Sequence, residues 1–239
     1  CLPEAQLVET ALLSTVLFQS MVATKARRIV QAAEGRPVME FGARRAHGGE
    51  AGKLGARAAF IGGCSGTSQL ECGMEFGVPV SGTMAHSWVM THETERDAFH
   101  RYTELYGGTS VLLVDSYDTL SALRMIVSEQ LSPSAIRLDS GDLVQLSRES
   151  RRILDAGGQQ KVKIIASGDL DEYRILDLVA AGAPIDAFGV GSALSTCPDA
   201  SSLPGVYKLV EIVRNGRRVP TAKYSPQKVT LPGRKQVWR

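Results

Sequence analysis

Short apolar runs alternate with longer amphipathic segments along most of the chain. Seven strands are predicted from these runs, at 38–41, 59–62, 78–81, 110–114, 135–138, 162–166 and 186–190. The apolar runs do not alternate with polar residues, which is typical of strands buried on both faces of a parallel sheet. Helices are predicted between them, the longest over 3–33 and the others ending near 58, 76, 106, 130, 156 and 182.

Repeated strand–helix units indicate an α/β fold with a parallel sheet, either a barrel or a doubly wound layer. The barrel is favoured because no G-x-G-x-x-G opens a helix after the first strand, and polar clusters follow many successive strands. Near the end of the chain, 207–213, Asn215-Gly216 and 217–223 predict a β-hairpin with a tight turn. We therefore expect a helical lead-in at 1–35, a βα barrel at 36–200 and the start of a second, β-rich domain at 201–239.

Composition and charge exclude several classes of protein. In 239 residues, Lys plus Arg total 27 and Asp plus Glu total 25, so the net charge of +2 gives no reason to expect a nucleic-acid partner or a membrane surface. The charge-free stretch at 10–24 is shorter than the roughly 20 apolar residues of a spanning helix. The four cysteines lack disulfide-scaffold or metal spacing, which predicts reduced thiols and a cytoplasmic protein. The chain starts without Met and stops without a terminal element, which suggests a fragment.

Polar, glycine-rich clusters follow nearly every predicted strand. They are EFGARRAH (40–47), IGGCSGTS (61–68), SGTMAHS (81–87), VDSYD (114–118), RLDSGD (137–142), ASGDLD (166–171) and FGVGSA (188–193). In a βα barrel, the carboxyl ends of all strands converge on one face. We expect a single polar pocket there, in which Gly and Ser at strand–helix junctions suit a bound phosphate.

Several charged residues are candidates for that pocket. Asp139 and Asp169 follow their strands directly, where carboxylates can bind Mg²⁺ through water or hold ribose hydroxyls. Arg137 lies inside an apolar strand and needs an anionic partner, which either Asp139 or a ligand phosphate can supply. His86 follows the strand at 78–81 on the same face.

The carboxylates of Asp118, Asp142 and Asp171 are better explained as helix caps or first-turn charges. Arg44 and Arg45 are adjacent and point in different directions, so one of the two can reach the pocket.

Taken together, the motifs resemble those of the nicotinate phosphoribosyltransferase family. They occur in the order EFGARRAHG, GTSQLECG, VPVSGTMAHSW, LLVDSYDTL, IRLDSGDL, ASGDLDE, FGVGSAL and LPGRKQVWR and extend over essentially the whole chain. The resemblance implies an incomplete α/β barrel joined to a second domain, and a homodimer. It implies formation of nicotinate mononucleotide and pyrophosphate from nicotinate and phosphoribosyl pyrophosphate in NAD salvage, with Mg²⁺ and with ATP hydrolysis coupled through a phosphorylated histidine.

The resemblance also implies roles for individual residues. His86 corresponds to the phosphorylated histidine, and Arg137 and Asp139 to residues near the ribose and nicotinate, so these three form the expected catalytic set. The expected substrate-binding set consists of Phe41 and Arg44 near the pyridine ring and phosphates, Thr67 and Ser68 beside the base, Asp115 facing the pocket, and Gly168, Asp169, Gly191 and Ser192 around the 5′-phosphate. No protein metal ligand is assigned.

Three alternatives remain open at this point. Nicotinamide phosphoribosyltransferases tend to carry an acidic residue in the loop where this chain has Ser68. Quinolinate enzymes would need more basic residues in the pocket and would not need His86. The third alternative is a phosphate-binding barrel without catalysis. The family also carries a further N-terminal segment, with an aromatic residue that covers the base, which this chain lacks.

Overall fold

The computed structural model describes residues 2–238, and the chain divides into two compact units. The larger unit is Phe18–Ser202, and the smaller unit combines Cys1–Leu17 with Leu203–Arg239. Helix α1, Leu2–Ala32, contributes to both units. The division of the intact protein at 35 and 200 stays a prediction.

The larger unit is an α/β structure with one parallel sheet. Its strands are β1 Val38–Glu40, β2 Gly66–Thr67, β3 Val111–Leu113, β4 Ala135–Leu138, β5 Lys163–Ala166 and β6 Ala187–Val190. The helices after α1 are α2 Gly49–Ile61, α3 Leu70–Phe76, α4 His86–Met90, α5 Glu95–Tyr106, α6 Thr119–Ser128, α7 Leu143–Ala156, α8 Glu172–Ala180 and α9 Ser192–Thr196. Short 3₁₀ turns lie at Ala43–Arg45 and Gly107–Thr109.

The sheet has the order β2-β1-β6-β5-β4-β3, and all neighbouring strands are parallel. The gap between its two edge strands is spanned by an irregular segment, 79–84. Ser81 N donates to Thr67 O at 3.0 Å on one edge, and Met84 N donates to Val111 O at 3.2 Å on the other. The predicted incomplete parallel barrel is therefore confirmed.

The core lies between the sheet and its helices. The side chains of Leu112, Ile136 and Ile164, one on each of three neighbouring strands, are fully buried. Strands buried in this way are apolar without alternation. The helices cover the sheet with Phe99, Leu123, Ile126, Leu154 and Ile175.

Two predicted strands are wrong. Residues 59–62 are the end of α2 and its cap, because the helix presents small residues that let it pack closely on α1. A Cβ on Gly62 would lie 2.5 Å from Ala23 O. Residues 78–81 form no regular strand, and only Val80 makes an isolated parallel bridge, to Thr67.

The helix after β5 begins at Glu172. Asp169 and Glu172 have the spacing of a capping box, but Asp169 has φ +47° and lies in the loop, so that reading of the sequence is wrong. Asp171 is the N-cap, and its carboxylate accepts from Arg174 N at 2.9 Å. The short helices α4 and α9 are further elements that the sequence pattern does not predict.

The smaller unit contains two hairpins. Strands β7 Glu211–Arg214 and β8 Arg217–Pro220 pair antiparallel around Asn215 and Gly216, which have φ +50° and +74°. Both turn residues have positive φ, as a two-residue hairpin turn requires, so the predicted hairpin is confirmed. A second, shorter pair joins β9 Tyr224–Ser225 to β10 Lys228–Val229.

Within residues 2–238, one helix is long and apolar enough to cross a membrane. It spans Pro3–Ala32. Its most apolar stretch of 18 residues has a mean hydropathy of 1.4, and 6% of that stretch is buried. The helix is longer than the charge-free stretch at 10–24 suggests. The core helices of soluble proteins and signal sequences share this length and composition.

Three cysteines in the described part of the chain are free and buried: Cys64, Cys72 and Cys197. Burial raises the pKa of Cys64 to about 12, and burial followed by the charge of Asp199 raises that of Cys197 to about 11. Both thiols are therefore protonated and poorly reactive near neutral pH. The cytoplasmic location stays a prediction.

Candidate active site

The carboxyl ends of the strands surround an open cavity of about 680 Å³ in the larger unit. Ten of the twelve residues predicted for the site line it: Phe41, Arg44, Ser68, His86, Arg137, Asp139, Gly168, Asp169, Gly191 and Ser192. They come from strand ends, loops and helix starts that are far apart in sequence, and they converge because all the strands run in parallel. Their chemical roles stay predictions.

Arg137 is held in one orientation by three neighbours. Its Nε donates to Ser167 Oγ, its Nη1 to Thr83 Oγ1 and its Nη2 to Asp139 Oδ1, each at 2.7 Å. The guanidinium also lies 5.5 Å from the centre of the Phe41 ring. A cation fixed beside an aromatic face suits a flat anionic ligand.

Asp139 supplies the counter-ion for Arg137. Burial raises the pKa of Asp139, but the hydrogen bond from Ser167 and the charge and hydrogen bond of Arg137 outweigh it. Its net pKa is lowered, so the carboxylate is ionised at neutral pH. Its second oxygen, Oδ2, lies 3.7 Å from Nε2 of His86.

His86 begins α4 and faces two carboxylates. Its Nδ1 lies 3.0 Å from Ser116 Oγ, and its Nε2 lies 3.9 Å from Asp115 Oδ1 as well as near Asp139. The side chain is 42% exposed. Ser116 therefore holds one ring nitrogen, while the other stays accessible from the cavity.

Two predicted site residues do not line the cavity. Asp115 is buried, and its Oδ2 accepts from Asp139 N at 3.1 Å, so it supports the loop that carries Asp139. Thr67 is fully buried, and its hydroxyl donates to Glu40 Oε2 at 2.5 Å. Both contacts support the cavity wall from behind, and substrate binding by these two residues stays a prediction.

Close backbone packing shapes the cavity wall at the carboxyl ends of β5 and β6. Gly168 has φ +91°, and a Cβ there would lie 1.9 Å from Asp139 O. A Cβ on Gly189 would lie 2.4 Å from the ring of Phe41. Only glycine fits at both positions, which lets the ends of β5 and β6 approach their neighbours closely.

Both arginines of the EFGARRAH cluster line the cavity, so the expectation that only one of Arg44 and Arg45 reaches it is wrong. The two belong to the same 3₁₀ turn, Ala43–Arg45. Further cavity residues lie inside the polar clusters without being singled out by sequence. Thr83 and Ser167 line it as the two hydroxyls bound to Arg137. Three arginines thus face a space that also contains carboxylates, which suits a ligand with several phosphates and hydroxyls.

A metal ion would have few protein ligands here. Over residues 2–238, no group of three or more His, Cys, Asp or Glu side chains is placed to hold one. Asp115 Oδ1 is nevertheless buried without a hydrogen-bond partner and faces His86. An oxygen of this kind fits a water molecule of a ligand-bound Mg²⁺.

Comparison with known proteins identifies the family. The chain matches the nicotinate phosphoribosyltransferase (NAPRTase) family over residues 37–225. It is 48% identical over 247 residues to nicotinate phosphoribosyltransferase of Bacillus subtilis (strain 168), covering 100% of this chain and 50% of that protein. It is 47% identical over 242 residues to nicotinate phosphoribosyltransferase pncB2 of Mycobacterium tuberculosis (strain ATCC 25618 / H37Rv), covering 99% and 51%.

A solved structure shares the fold of this chain. The crystal structure of nicotinate-nucleotide pyrophosphorylase from Pyrococcus furiosus superposes with a TM-score of 0.80 at 35% identity, covering 95% of this chain and 57% of that chain. The chain spans about half the length of the curated relatives it matches. On the sequence match and the shared fold, the chain belongs to the nicotinate phosphoribosyltransferase family.

Proposed function

We propose that the intact protein forms nicotinate mononucleotide and pyrophosphate from nicotinate and phosphoribosyl pyrophosphate, as a step of NAD salvage. The family supports phosphoribosyl transfer. The observation that carries the choice of substrate is the guanidinium of Arg137, fixed beside the ring of Phe41 in the cavity. A pyridine ring can stack on Phe41 while its carboxylate meets the N–H groups of Arg137 that remain free.

The ribose and phosphates would occupy the rest of the cavity. The backbone at Gly168 and Gly191 gives a phosphate close access, and Arg44 and Arg45 can neutralise the diphosphate that leaves. The bond from the anomeric carbon to the diphosphate oxygen breaks as the ring nitrogen of nicotinate bonds to the same carbon. The ionised carboxylate of Asp139 stabilises the positive charge that develops there.

Magnesium would enter with the diphosphate. When bound, Mg²⁺ offsets the negative charge of the leaving group. Asp115 Oδ1 and Asp139 Oδ2, which both face His86, would accept hydrogen bonds from its water molecules. Their oxygens lie 3.9 and 3.7 Å from Nε2 of His86, so this imidazole nitrogen faces the same part of the cavity.

Coupling to ATP is a further part of the proposal. The γ-phosphoryl group of ATP would transfer to an imidazole nitrogen of His86, releasing ADP, and water would later cleave the phosphorus–nitrogen bond. The open ring of His86 at the cavity wall, held by Ser116, supports this step. A phosphohistidine beside Asp115 and Asp139 would change the charge of the diphosphate site before transfer. ATP would then act as a co-substrate, and a cytoplasmic homodimer is the proposed working form.

Nicotinate is favoured over related bases by Ser68. This neutral side chain lines the cavity where nicotinamide enzymes tend to place an acid. A carboxylate at that position would repel the carboxylate of nicotinate, whereas a hydroxyl can donate to it.

Product formation tests the proposal. The chain, and a form extended to the length of its relatives, would be incubated with phosphoribosyl pyrophosphate, Mg²⁺ and either nicotinate, nicotinamide or quinolinate, with and without ATP. We expect nicotinate mononucleotide and pyrophosphate from nicotinate, with more product when ATP is present. Preference for another base, or no pyrophosphate release by either form, would overturn the proposal.

A further inference from the structure

Glu40 is a buried carboxylate that the mechanism above does not use. It is the last residue of β1 and is 3% exposed. It does not line the cavity, although the next residue, Phe41, does. Successive residues of a strand point to opposite sides, so the side chain of Glu40 lies behind the cavity wall.

Two neutral donors hold this carboxylate. The backbone N–H of Gly42 donates to Oε1, and the hydroxyl of Thr67 donates to Oε2 at 2.5 Å. Burial raises the pKa of Glu40, and these two hydrogen bonds lower it in part. Burying a carboxylate costs desolvation free energy. We explain its presence here by the two donors, each of which needs an acceptor oxygen at this position.

The two donors belong to different parts of the cavity wall. Gly42 precedes the 3₁₀ turn that carries Arg44 and Arg45, and Arg45 N closes this turn by donating to Gly42 O at 2.8 Å. Thr67 precedes Ser68, whose N–H donates to the backbone oxygen of Glu40 at 3.0 Å. Glu40 therefore links the 3₁₀ turn Ala43–Arg45, here called the arginine turn, to the loop after β2.

The arginine turn is also confined from the other side. A Cβ on Gly42 would lie 1.7 Å from Ser195 Oγ and 2.6 Å from Gly191 O. The peptide of Gly42 is thus confined between the carboxylate of Glu40 on one side and Gly191 and Ser195 on the other. Little freedom remains for the turn while Glu40 accepts the bond from Gly42.

We propose that Glu40 is a positioning residue for diphosphate binding, which holds Arg44 and Arg45 toward the cavity through the N–H of Gly42. This inference rests on the proposed function, because it takes the ligand of the arginine turn to be the diphosphate of phosphoribosyl pyrophosphate. Removing the carboxylate releases the turn and leaves both arginines present but no longer preorganised.

Two substitutions separate the loss of the negative charge from the loss of both acceptor atoms. In Glu40→Gln, the amide oxygen can still accept from Gly42, and the amide NH₂ can donate to Thr67 Oγ1. That hydroxyl already accepts from Gln69 N at 2.9 Å, so the arrangement is kept with strain. Glu40→Ala removes both acceptors. The expected order of diphosphate affinity is wild type, then Glu40→Gln, then Glu40→Ala.

Glu172 provides the matched control. It is 4% exposed and lies outside the cavity, where it forms ion pairs with Lys25 at 2.8 Å and Arg28 at 2.6 Å. Glu172→Gln removes the charge of an equally buried glutamate from the same unit. Its stability should fall, and its affinity for diphosphate should not.

The experiment is calorimetric titration of inorganic pyrophosphate with Mg²⁺ into the four proteins, alongside their melting temperatures. We expect Kd to rise about tenfold in Glu40→Ala and about threefold in Glu40→Gln, as for loss or weakening of charge-assisted contacts. Kd of Glu172→Gln should match that of the wild type.

Unchanged affinity in Glu40→Gln and Glu40→Ala, or an equal loss in Glu172→Gln, would overturn the inference and leave the proposed function intact. Should Glu40→Ala not fold, the threefold effect in Glu40→Gln decides the question alone. Absence of pyrophosphate binding by the wild type would overturn the proposed function and the inference together.

Discussion

The guanidinium of Arg137 donates to Asp139 Oδ1 at 2.7 Å, so the arginine inside β4 has its counter-ion two residues further along the chain. Thr83 and Ser167 accept hydrogen bonds from two more of its five N–H groups, and two N–H groups stay free. A cation held in this way is oriented before any ligand arrives, which lowers the cost of ordering it on binding. A ligand phosphate is not needed to neutralise Arg137.

Removing Arg137 should destabilise the protein through Asp139. In Arg137→Ala, the partly buried carboxylate loses its ion pair, and we expect the free energy of unfolding at pH 7 to fall by about 2 kcal/mol. Since the pKa of Asp139 is lowered in the fold, its contribution is present above the ordinary value of 3.8 and is lost as the pH falls through the lowered pKa. The difference between the two proteins should therefore shrink in acid. Urea unfolding at several pH values measures this.

An exposed ion pair provides the comparison. Arg96 pairs with Glu129 at 2.9 Å but is 60% exposed, so Arg96→Ala should cost less than about 1 kcal/mol. Equal losses of unfolding free energy in Arg137→Ala and Arg96→Ala would show that the network around Arg137 contributes no more to stability than an exposed ion pair does.

Coupling to ATP should depend on His86. In His86→Ala, we expect ATP to lose its stimulation of nicotinate mononucleotide formation, while the slower turnover without ATP persists. His100 is a surface histidine 3.4 Å from Glu129, so His100→Ala should keep the full ATP response. Stimulation that survives in His86→Ala would exclude the phosphohistidine step.

The backbone of Gly168 should tolerate no side chain. Gly168→Ala places a Cβ 1.9 Å from Asp139 O at a residue with φ +91°. We expect a loss of about 2 to 4 kcal/mol of unfolding free energy, from the clash and the strained backbone together. Thermal or urea unfolding checks this. Gly108 has open space around its ideal Cβ, so Gly108→Ala should change stability by no more than about 1 kcal/mol.

Glu95 should make stability depend on pH. Burial, followed by the charge of Asp118, raises the pKa of Glu95 from 4.5 to about 7, and its Oε1 is buried without a hydrogen-bond partner. A raised carboxyl pKa stabilises the fold below 4.5, and this contribution is lost as the pH rises toward 7. Glu95→Gln should therefore gain about 1 kcal/mol at pH 8, after allowance for its partial exposure, and lose this part of the pH dependence.

Unfolding of Glu95→Gln and of Glu93→Gln, an exposed neighbour, at pH 5 and pH 8 tests this. A gain at pH 8 confined to Glu95→Gln supports the account. Equal behaviour of the two variants would contradict it.

The sequence locates the cavity because strand ends in a parallel barrel meet on one face, whatever the details of each loop. Strand β4 also has the predicted bounds, and helix α7 ends at the predicted residue. The prediction fails where neighbours decide the structure. Residues 59–62 are apolar and short like a strand, and only their packing against α1 shows that they end a helix.

The role of Glu40 shows a second limit. Its side chain points away from the cavity, and its two partners, Gly42 and Thr67, are brought together by the pairing of β1 with β2. Alternation along β1 could have indicated a buried acid, because the next residue, Phe41, lines the cavity. Nothing local in the sequence identifies the donors.

A cavity that binds a pyridine nucleotide, as we propose for the one at the strand ends, should bind nicotinate mononucleotide in a calorimetric titration. We expect the wild-type chain to bind it saturably, Arg44→Ala to bind about tenfold or more weakly, and Arg96→Ala to bind as the wild type does. No binding by the wild type, or equal binding by Arg44→Ala, would contradict the account.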